Sequence, residues 1–331
     1  MMFSSNIVGT ANATTAGWGN LGGGVTNVLM PQFYNLMKAF GLDDNKAWRV
    51  AMVIPGSTLL GLAFLMFFTS DDGPDGQYQE MYRKGTKEKT NPFVAMARAA
   101  GNFRSWLLFW NYACCFGVEL AMNGNLATYF QERFELDQGK AGLIAGLFGL
   151  MNLFARSLGG ITSDLLAKRW GMRGRLWNFA LCLIFEGLFL VVFSRIGALP
   201  GAIVTLILFS TFVQMSEGAT FGIVPFVDPI ATGAVSGIVG AGGNVGGVIW
   251  NQLFKIGYPN GMLALGCIVV GSGLFVTPLI HWPHYGSMLL PASAALKDDD
   301  EDEEYEEEEE DGTDGDEEET EDAGKEALPV N

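Results

Sequence analysis

Residues 142–175 read GLIAGLFGLMNLFARSLGGITSDLLAKRWGMRGR. This stretch decides the fold, because it begins as an apolar run of membrane-spanning length and ends in a cluster of basic residues. A single arginine, Arg156, lies inside the apolar part. At a helical rise of about 1.5 Å per residue, it would lie about 12 Å from Asp164 and about 24 Å from Lys140. Both distances place it well inside a hydrocarbon layer about 30 Å thick.

An arginine at that depth needs a physical explanation. An unpaired guanidinium there costs at least about 2.5–3.5 kcal/mol on insertion scales, so another interaction must offset that cost. The Arg156 side chain could extend to the membrane surface, or it could form an internal salt bridge. Alternatively, the protein keeps a cation near the membrane centre in order to bind an anion. We favour this last hypothesis.

The rest of the chain repeats the pattern of apolar runs. Of the 331 residues, 49% are hydrophobic, and runs rich in phenylalanine, leucine and glycine alternate with short polar clusters. We therefore predict an all-α polytopic membrane protein with about eight spans. Their approximate bounds are 7–38, 48–69, 106–130, 141–163, 176–194, 199–226, 232–254 and 261–282.

The net charge of −16 comes from one segment. Residues 298–322 contain 20 acidic residues and no basic one, which leaves 16 acidic and 20 basic residues elsewhere. We predict that residues 292–331 form a disordered acidic tail, because this composition cannot bury enough apolar surface to fold alone. The remaining basic residues lie at helix ends rather than along a groove, so we expect no nucleic-acid partner.

The chemistry-bearing residues do not indicate a cofactor, a metal site or an enzyme. The four cysteines lie in apolar runs without CxxC spacing, and the two histidines flank a proline. These are too few and too scattered for a metal site. The spans contain no nucleophile–base pair, so we expect neither a cofactor nor catalysis.

The distribution of basic residues predicts the orientation of the spans, because cytoplasmic loops are enriched in lysine and arginine. The hydrophilic segment 70–104 and the cluster Lys168, Arg169, Arg173 and Arg175 would face the cytoplasm. The number of spans between them agrees with this assignment. Both termini, including the C-terminus, would then be cytoplasmic.

Two glycine-rich segments resemble each other: GWGNLGGGVTN at residues 17–27 and GAGGNVGGVIWN at residues 240–251. In each segment two asparagines lie seven residues apart, so both amides share one helix face. The pairs are Asn20 with Asn27 and Asn244 with Asn251. Transporters built from repeats carry such matched helices around their substrate site. Close helix packing alone is the alternative, and it would explain the glycines but not the asparagines.

The third predicted span carries a stripe of larger side chains. Tyr112, Phe116, Glu119 and Asn123 are spaced i, i+4, i+7 and i+11, which places them on one helix face. The two aromatic residues alone would indicate core packing. The carboxylate changes that interpretation, because an acid inside the membrane is costly unless it is paired, protonated or exposed to a wet cavity.

Two roles for Glu119 remain open at this point. It could carry a coupling proton, or it could be the structural partner of a cation such as Arg156. Glu186 and Glu217 also lie in apolar spans, and no local pattern ranks them against Glu119.

Eight longer segments carry a family resemblance: TAGWGNLGGGVTNVLMP, AWRVAMVIPG, FGVELAMNGNLATYF, AGLIAGLFGLMNLFARSLGG, GMRGRLW, GATFGIVPFV, GIVGAGGNVGG and WPHYGSMLLP. They occur in order over nearly all of residues 5–291. In these segments the sequence resembles the nitrate/nitrite porters of the major facilitator superfamily. Within that group it is similar to the eukaryotic high-affinity nitrate transporters.

The resemblance implies a substrate site near the membrane midplane. Nitrate, with nitrite as a second candidate, would bind between two arginines and against aromatic rings. Arg156 would be the arginine of the C-terminal half, and Tyr112 and Phe116 would form the aromatic wall. The glycine-rich segments would line the site with Asn20, Gly240 and Asn244.

The resemblance also implies a cytoplasmic gating motif, GGITSDLLAKRWGMRGR, at residues 159–175. Its charged side chains would act in gating or at helix ends. They are Asp164, Arg169, Arg173 and Arg175.

The function implied by the resemblance is proton-coupled nitrate uptake by alternating access, with Glu119 as the candidate proton carrier. The partners would be nitrate, protons and the lipid bilayer, in the plasma membrane. Family members in plants and algae often need a single-span accessory membrane protein, which is a further expected partner. The alternatives are a nitrate/nitrite exchanger and a non-transporting nitrate sensor or defunct fragment.

The family folds with twelve spans, and the eight predicted here match the last eight. Residues 1–69 would form the last two helices of the N-terminal bundle, and residues 70–104 the cytoplasmic central loop. Residues 105–291 would form the C-terminal six-helix bundle. On this interpretation the chain is truncated at its N-terminus, and Arg156 would face lipid or a gap. We would then expect the chain not to transport on its own.

Overall fold

The computed structural model describes residues 4–73, 76–85 and 91–290, and most of these residues are helical. The helices are α1 (Val8–Ala39), α2 (Asp44–Ala51), α3 (Val53–Thr69), α4 (Tyr78–Lys84), α5 (Pro92–Gly101), α6 (Phe103–Ala113), α7 (Phe116–Phe134), α8 (Gln138–Leu150), α9 (Ala155–Phe193), α10 (Leu199–Phe221), α11 (Thr232–Leu253) and α12 (Tyr258–Gly271). A short antiparallel ribbon, β1 (His281–Trp282) with β2 (Gly286–Ser287), follows them. The predicted all-α class is confirmed.

Each of the eight predicted spans contains helix, although the last one, 261–282, ends in β1 at His281–Trp282. By length and composition, five helical stretches of the described chain could cross a membrane: residues 44–69, 138–193, 199–226, 232–256 and 258–279. The stretch 138–193 contains two predicted spans. The first and third predicted spans, α1 and α6 with α7, are not among the five, and both contain glycine and asparagine between their apolar residues.

The fourth predicted span is not one continuous helix. α8 ends at Leu150, a 3₁₀ turn follows at Met151–Leu153, and α9 begins at Ala155. Asp137 caps the start of α8, where its side chain accepts a hydrogen bond from the Lys140 backbone N–H (3.0 Å). That hydrogen bond lowers the pKa of the Asp137 carboxyl group.

A sharp turn at Gly171 separates the fourth and fifth predicted spans within α9. The Gly171 backbone has φ 57° and ψ −146°, a region that essentially only glycine occupies. The chain therefore reverses here, and Arg175 returns to Asp164, with 2.6 Å between Nη1 and Oδ1.

The helices pack closely where glycines meet. α9 packs along α10 and α12, α1 packs on α8, α9 and α10, and α11 packs on α6 and α7. A Cβ on Gly117 would lie 2.8 Å from the Gly246 Cα atom, and a Cβ on Gly159 would lie 2.6 Å from the Met215 Cα atom. Larger residues at these positions would force the helices apart, which is why small residues mark helix crossings in membranes.

The predicted central loop, residues 70–104, is partly helical, because it contains α4 and α5. α5 packs on α11, and its Arg98 forms an ion pair with Asp228. α3 buries none of its side chains against the described chain. The predicted acidic tail at residues 292–331 lies outside the described residues.

Candidate functional site

Arg156 lies in the first turn of α9, directly after the 3₁₀ turn, and its side chain is 2% exposed. Nη1 donates to Oε2 of Glu217 on α10, which forms a buried ion pair. Nη2 donates to the Tyr112 hydroxyl oxygen at 3.1 Å. The remaining donor, Nε, has no hydrogen-bond partner among the described residues. Two nitrogens of the guanidinium group are therefore engaged, and Nε is not.

The expectation that Arg156 faces lipid or a gap is wrong, because α9 and α10 bury it together with its counter-ion. Glu217 supplies the opposite charge that a desolvated cation needs. The internal salt bridge, which was one of the alternatives, is therefore present. Arg156, which was a candidate partner for Glu119, forms its ion pair with Glu217 instead. Anion binding at Arg156 stays a prediction.

Glu119 on α7 is 2% exposed and accepts hydrogen bonds from three amide side chains. The donors are Asn152 (2.8 Å), Asn20 (3.2 Å) and Asn123 (3.4 Å). Because Asn20 belongs to α1 and Asn152 to the 3₁₀ turn before α9, Glu119 joins three parts of the fold. Its carboxyl group also interacts electrostatically with the Glu217 carboxyl group.

Aromatic rings form one side of this cluster. The Tyr112 and Phe116 rings are stacked, with centroids 5.3 Å apart and planes at 19°, and Phe221 meets Tyr112 edge-on at 5.4 Å. Gly243 of α11 lies directly against the first two rings, where a Cβ would overlap the Phe116 ring. The absence of a side chain at Gly243 thus lets the second glycine-rich segment lie against the rings.

The other predicted members of that segment lie away from the cluster. Asn244 is exposed, and its amide donates to the Gly240 carbonyl oxygen of its own helix at 3.1 Å. Apart from its chain neighbours and the nearby backbone of its own helix, no heavy atom of the described chain lies within 4 Å of a Cβ built on Gly240. The structure therefore brings Arg156, Tyr112, Phe116, Glu119 and Asn20 together, and it places Gly240 and Asn244 on an open part of α11.

In the predicted gating motif, Asp164 and Arg175 form a buried ion pair. Asp164 also accepts hydrogen bonds from the backbone N–H groups of Gly9 (3.2 Å) and Thr10 (2.6 Å). These contacts join the start of α1 to both sides of the Gly171 turn. Any separation of α1 from α9 would have to break them.

The other two arginines of the motif have different partners. Arg173 is exposed, and its Nε donates to the Met288 carbonyl oxygen at 3.2 Å. Arg169 lies 5.7 Å from the centre of the Trp170 ring, which suits a cation–π contact. The structure therefore separates the motif into one buried pair and two surface side chains.

Sequence reasoning did not identify two residues of the cluster, Glu217 and Asn152, as site residues. The sequence shows Glu217 as an acid inside a predicted span. Its pairing with Arg156, which lies 61 positions earlier, depends on how α9 packs on α10. Asn152 lies four positions before Arg156, and this spacing could have indicated a shared face. The 3₁₀ turn between them alters that geometry, yet both side chains still point into the cluster.

Several known proteins that are similar to this chain are named as transporters. Residues 1–251 match the family described as Major Facilitator Superfamily. The chain is 40% identical over 299 residues to "High affinity nitrate transporter 2.5" of Arabidopsis thaliana, which covers 88% of this chain and 59% of that protein. It is 39% identical over 300 residues to "Nitrate transporter 2.2" of Chlamydomonas reinhardtii (87% and 58%). It is 38% identical over 296 residues to "High-affinity nitrate transporter 2.3" of Oryza sativa subsp. japonica (87% and 57%).

The chain thus spans less than two thirds of the length of these relatives. The matches confirm the resemblance that the glycine-rich segments and the Arg156 stretch indicated. The helical fold and the apolar helices agree with the family match. Because that match covers well over half of the sequence, this chain is a multi-pass integral membrane protein that belongs to the major facilitator superfamily.

Proposed function

We propose that this chain transports nitrate across a membrane by alternating access and takes up protons with the anion. The expectation that it does not transport on its own assumed that Arg156 faces lipid or a gap, and the buried ion pair with Glu217 removes that premise. The observation that carries the proposal is the buried Arg156 guanidinium beside the stacked rings of Tyr112 and Phe116. The nitrate transporter names of the relatives support the choice of substrate. Nitrite is the second candidate, because it is a smaller planar anion of the same charge.

The geometry of the cluster suits a planar monoanion. A guanidinium group presents N–H donors in one plane, and this fork matches two oxygens of a trigonal anion. The faces of Tyr112 and Phe116 would cover the apolar side of the anion. In the open state of the transporter, Asn20, Gly240 and Asn244 would line the remaining walls.

Proton uptake would overcome the membrane potential. An anion that enters a negatively charged cell loses about 2.3 kcal/mol per charge for every ~100 mV. Protons that accompany nitrate remove or reverse that cost. A buried carboxyl group of the cluster would carry the proton: Glu119 is the predicted carrier, and Glu217 is the second buried acid there.

The arrangement in the membrane completes the proposal. Residues 1–69 and 105–291 would belong to the two bundles of the superfamily fold, with residues 70–104 as the cytoplasmic connection and a cytoplasmic C-terminus. Rocking of the bundles would break and remake the Asp164–Arg175 contacts with the start of α1. The location would be the plasma membrane, and a single-span accessory membrane protein would be the partner.

The test is uptake of ¹⁵N-labelled nitrate into proteoliposomes that contain the full chain. We expect an inward proton gradient to accelerate uptake, and Arg156→Gln to lower it at least about thirtyfold, since a desolvated charge pair is worth about 2 kcal/mol or more. The matched control is Arg195→Gln, an exposed arginine in the loop before α10, which should leave uptake unchanged. Uptake that depends on internal nitrite rather than on pH would establish an exchanger. Nitrate binding without flux would establish a sensor, and either result would overturn the proposal.

A further inference from the structure

Glu217 occupies the place that a substrate anion would need, if the proposed function is correct. Its Oε2 holds Nη1 of Arg156, while Tyr112 holds Nη2. Only Nε of the guanidinium group lacks a partner within the described chain. A planar anion that takes the Nη1 N–H held by Glu217 must therefore displace the Glu217 carboxylate. Displacement would leave that carboxylate buried without a counter-ion, which is costly unless its charge is removed.

The groups around Glu217 supply only one positive charge in the described chain. It faces Arg156 on α9, Tyr112 on α6, Glu119 on α7 and, farther away, Glu186 on the second half of α9. Cys115, at the junction of α6 and α7, is also nearby. With both Glu119 and Glu217 ionised, the cluster would carry a net charge of −1. Such a cluster would repel nitrate.

The cluster also has a place for a proton. Oε1 of Glu217 is buried and receives no hydrogen bond from the described residues. The Glu119 carboxyl group interacts electrostatically with that of Glu217. Two buried carboxylates that interact repel each other when both are ionised, and a proton on one of them removes that repulsion. The three amide donors already engage the oxygens of Glu119, which leaves Glu217 with the unsatisfied atom.

We propose that Glu217 is a proton-controlled competitor of nitrate for Arg156. A proton adds to the Glu217 carboxylate and the Oε2–Nη1 ion pair breaks. A nitrate oxygen then takes the place of Oε2 on Nη1. When the proton leaves, the carboxylate pairs with Arg156 again and expels the nitrate. One proton and one anion enter together, so the net charge of the buried cluster does not change, and this exchange couples the two substrates.

Glu186 provides the matched control. It is as fully buried as Glu217, it lies in the same group of helices, and no cation pairs with it in the described chain. Neither of its carboxyl oxygens accepts a hydrogen bond from the described residues. Replacing it by glutamine therefore removes a buried carboxyl group without freeing an arginine.

The test is potassium nitrate binding to the full chain in lipid nanodiscs across a series of pH values, with potassium chloride as the reference salt. Wild-type affinity should fall about tenfold per pH unit above the pH at which Glu217 loses its proton. Glu217→Gln should bind nitrate with a pH-independent affinity close to the acidic limit of the wild type. Glu186→Gln should retain the wild-type pH dependence.

Three outcomes would overturn the inference, and they have different meanings. If the wild type binds nitrate but Glu217→Gln keeps the same pH dependence, the inference fails and the proposed function stands. A flat profile in Glu119→Gln alone would assign the proton to Glu119. If the wild type binds no nitrate at any pH, both the inference and the proposed function fail.

A second measurement does not depend on the folding of Glu217→Gln. Infrared difference spectra of the wild type should gain a carboxylic-acid C=O band when nitrate is added. Because the band belongs to residue 217, it should shift in Glu217→Asp, which keeps a titratable group. A wild-type spectrum without the band, or a band unchanged in Glu217→Asp, would show that no proton reaches this carboxyl group.

Discussion

At the scale of single residues, Arg156 couples the stability of the protein to its proposed function. A buried guanidinium is tolerated here because Glu217 and Tyr112 engage it on two sides. Removal from water makes the ion pair costly, and it also strengthens the electrostatic interaction between its two members. A substrate anion that replaces Glu217 would interact with Arg156 equally strongly for the same reason.

Arg156→Gln should destabilise the chain by about 3–5 kcal/mol, because it leaves the Glu217 carboxylate buried without a counter-ion. The double variant Arg156→Gln with Glu217→Gln should recover much of that loss, since no uncompensated charge remains. The free energy of unfolding in mixed micelles measures both effects. The two single variants and the double variant form a cycle, and a coupling free energy near zero would contradict a buried ion pair.

The pairing of Arg156 could not be predicted from the sequence. The apolar run around the arginine predicted its depth. The spacing of Tyr112, Phe116 and Glu119 predicted one helix face, although α6 ends at Ala113 and α7 begins at Phe116. Three acids lay in apolar spans, and the choice among them depends on the packing of α9 on α10. Local periodicity carries no information on that packing. The predicted neighbours Tyr112 and Asn20 are present in the cluster, whereas Gly240 and Asn244 are not.

At the scale of helices, the apolar runs predicted where helices lie but not where they break. The first span was predicted at residues 7–38, and α1 covers Val8–Ala39. The fourth span was predicted as continuous, yet a 3₁₀ turn at Met151–Leu153 interrupts it. That turn brings Asn152 to Glu119, a tertiary contact. Breaks of this kind follow from partners on other helices, so the pattern of one segment does not reveal them.

The contact between α9 and α10 should be intolerant of one added methyl group. A Cβ at Gly159 would overlap the Met215 carbonyl oxygen, and backbone atoms cannot move aside without separating the helices. Gly159→Ala should therefore cost about 1–3 kcal/mol in unfolding free energy. It should also weaken nitrate binding, because Arg156 lies less than one turn away on the same helix.

Gly237→Ala is the control for that prediction. Gly237 lies on α11, and a Cβ built there has no heavy atom of the described chain within 4 Å apart from its chain neighbours and the nearby backbone of α11. Alanine there adds a methyl group without overlap and favours the helix by up to about 1 kcal/mol. The same unfolding experiment should show unchanged or higher stability. Equal losses in Gly159→Ala and Gly237→Ala would mean that close packing of α9 on α10 does not limit stability.

At the scale of the whole molecule, the surface charges predict how the chain lies in the membrane. Basic residues resist transfer to the outer side of a negatively charged membrane, so loops rich in them stay in the cytoplasm. The segment between α3 and α6 is rich in lysine and arginine, whereas the loop between α7 and α8, residues 135–137, contains no basic residue. The third predicted span, α6 with α7, lies between these loops and should place them on opposite sides.

Cysteine labelling of intact cells tests that orientation. Lys84 at the end of α4 and Lys140 at the start of α8 are both exposed, and Lys84→Cys and Lys140→Cys would place a thiol in each loop. Of the native cysteines only Cys267 is exposed, so Cys267→Ser provides the background. A membrane-impermeant maleimide should label position 140 in intact cells and position 84 only after permeabilisation.

Reversed labelling would invert the orientation and put the Asp164–Arg175 contacts on the outer side. Labelling of both positions in intact cells would mean that α6 and α7 do not cross the membrane, and Glu119 could not then lie at mid-depth.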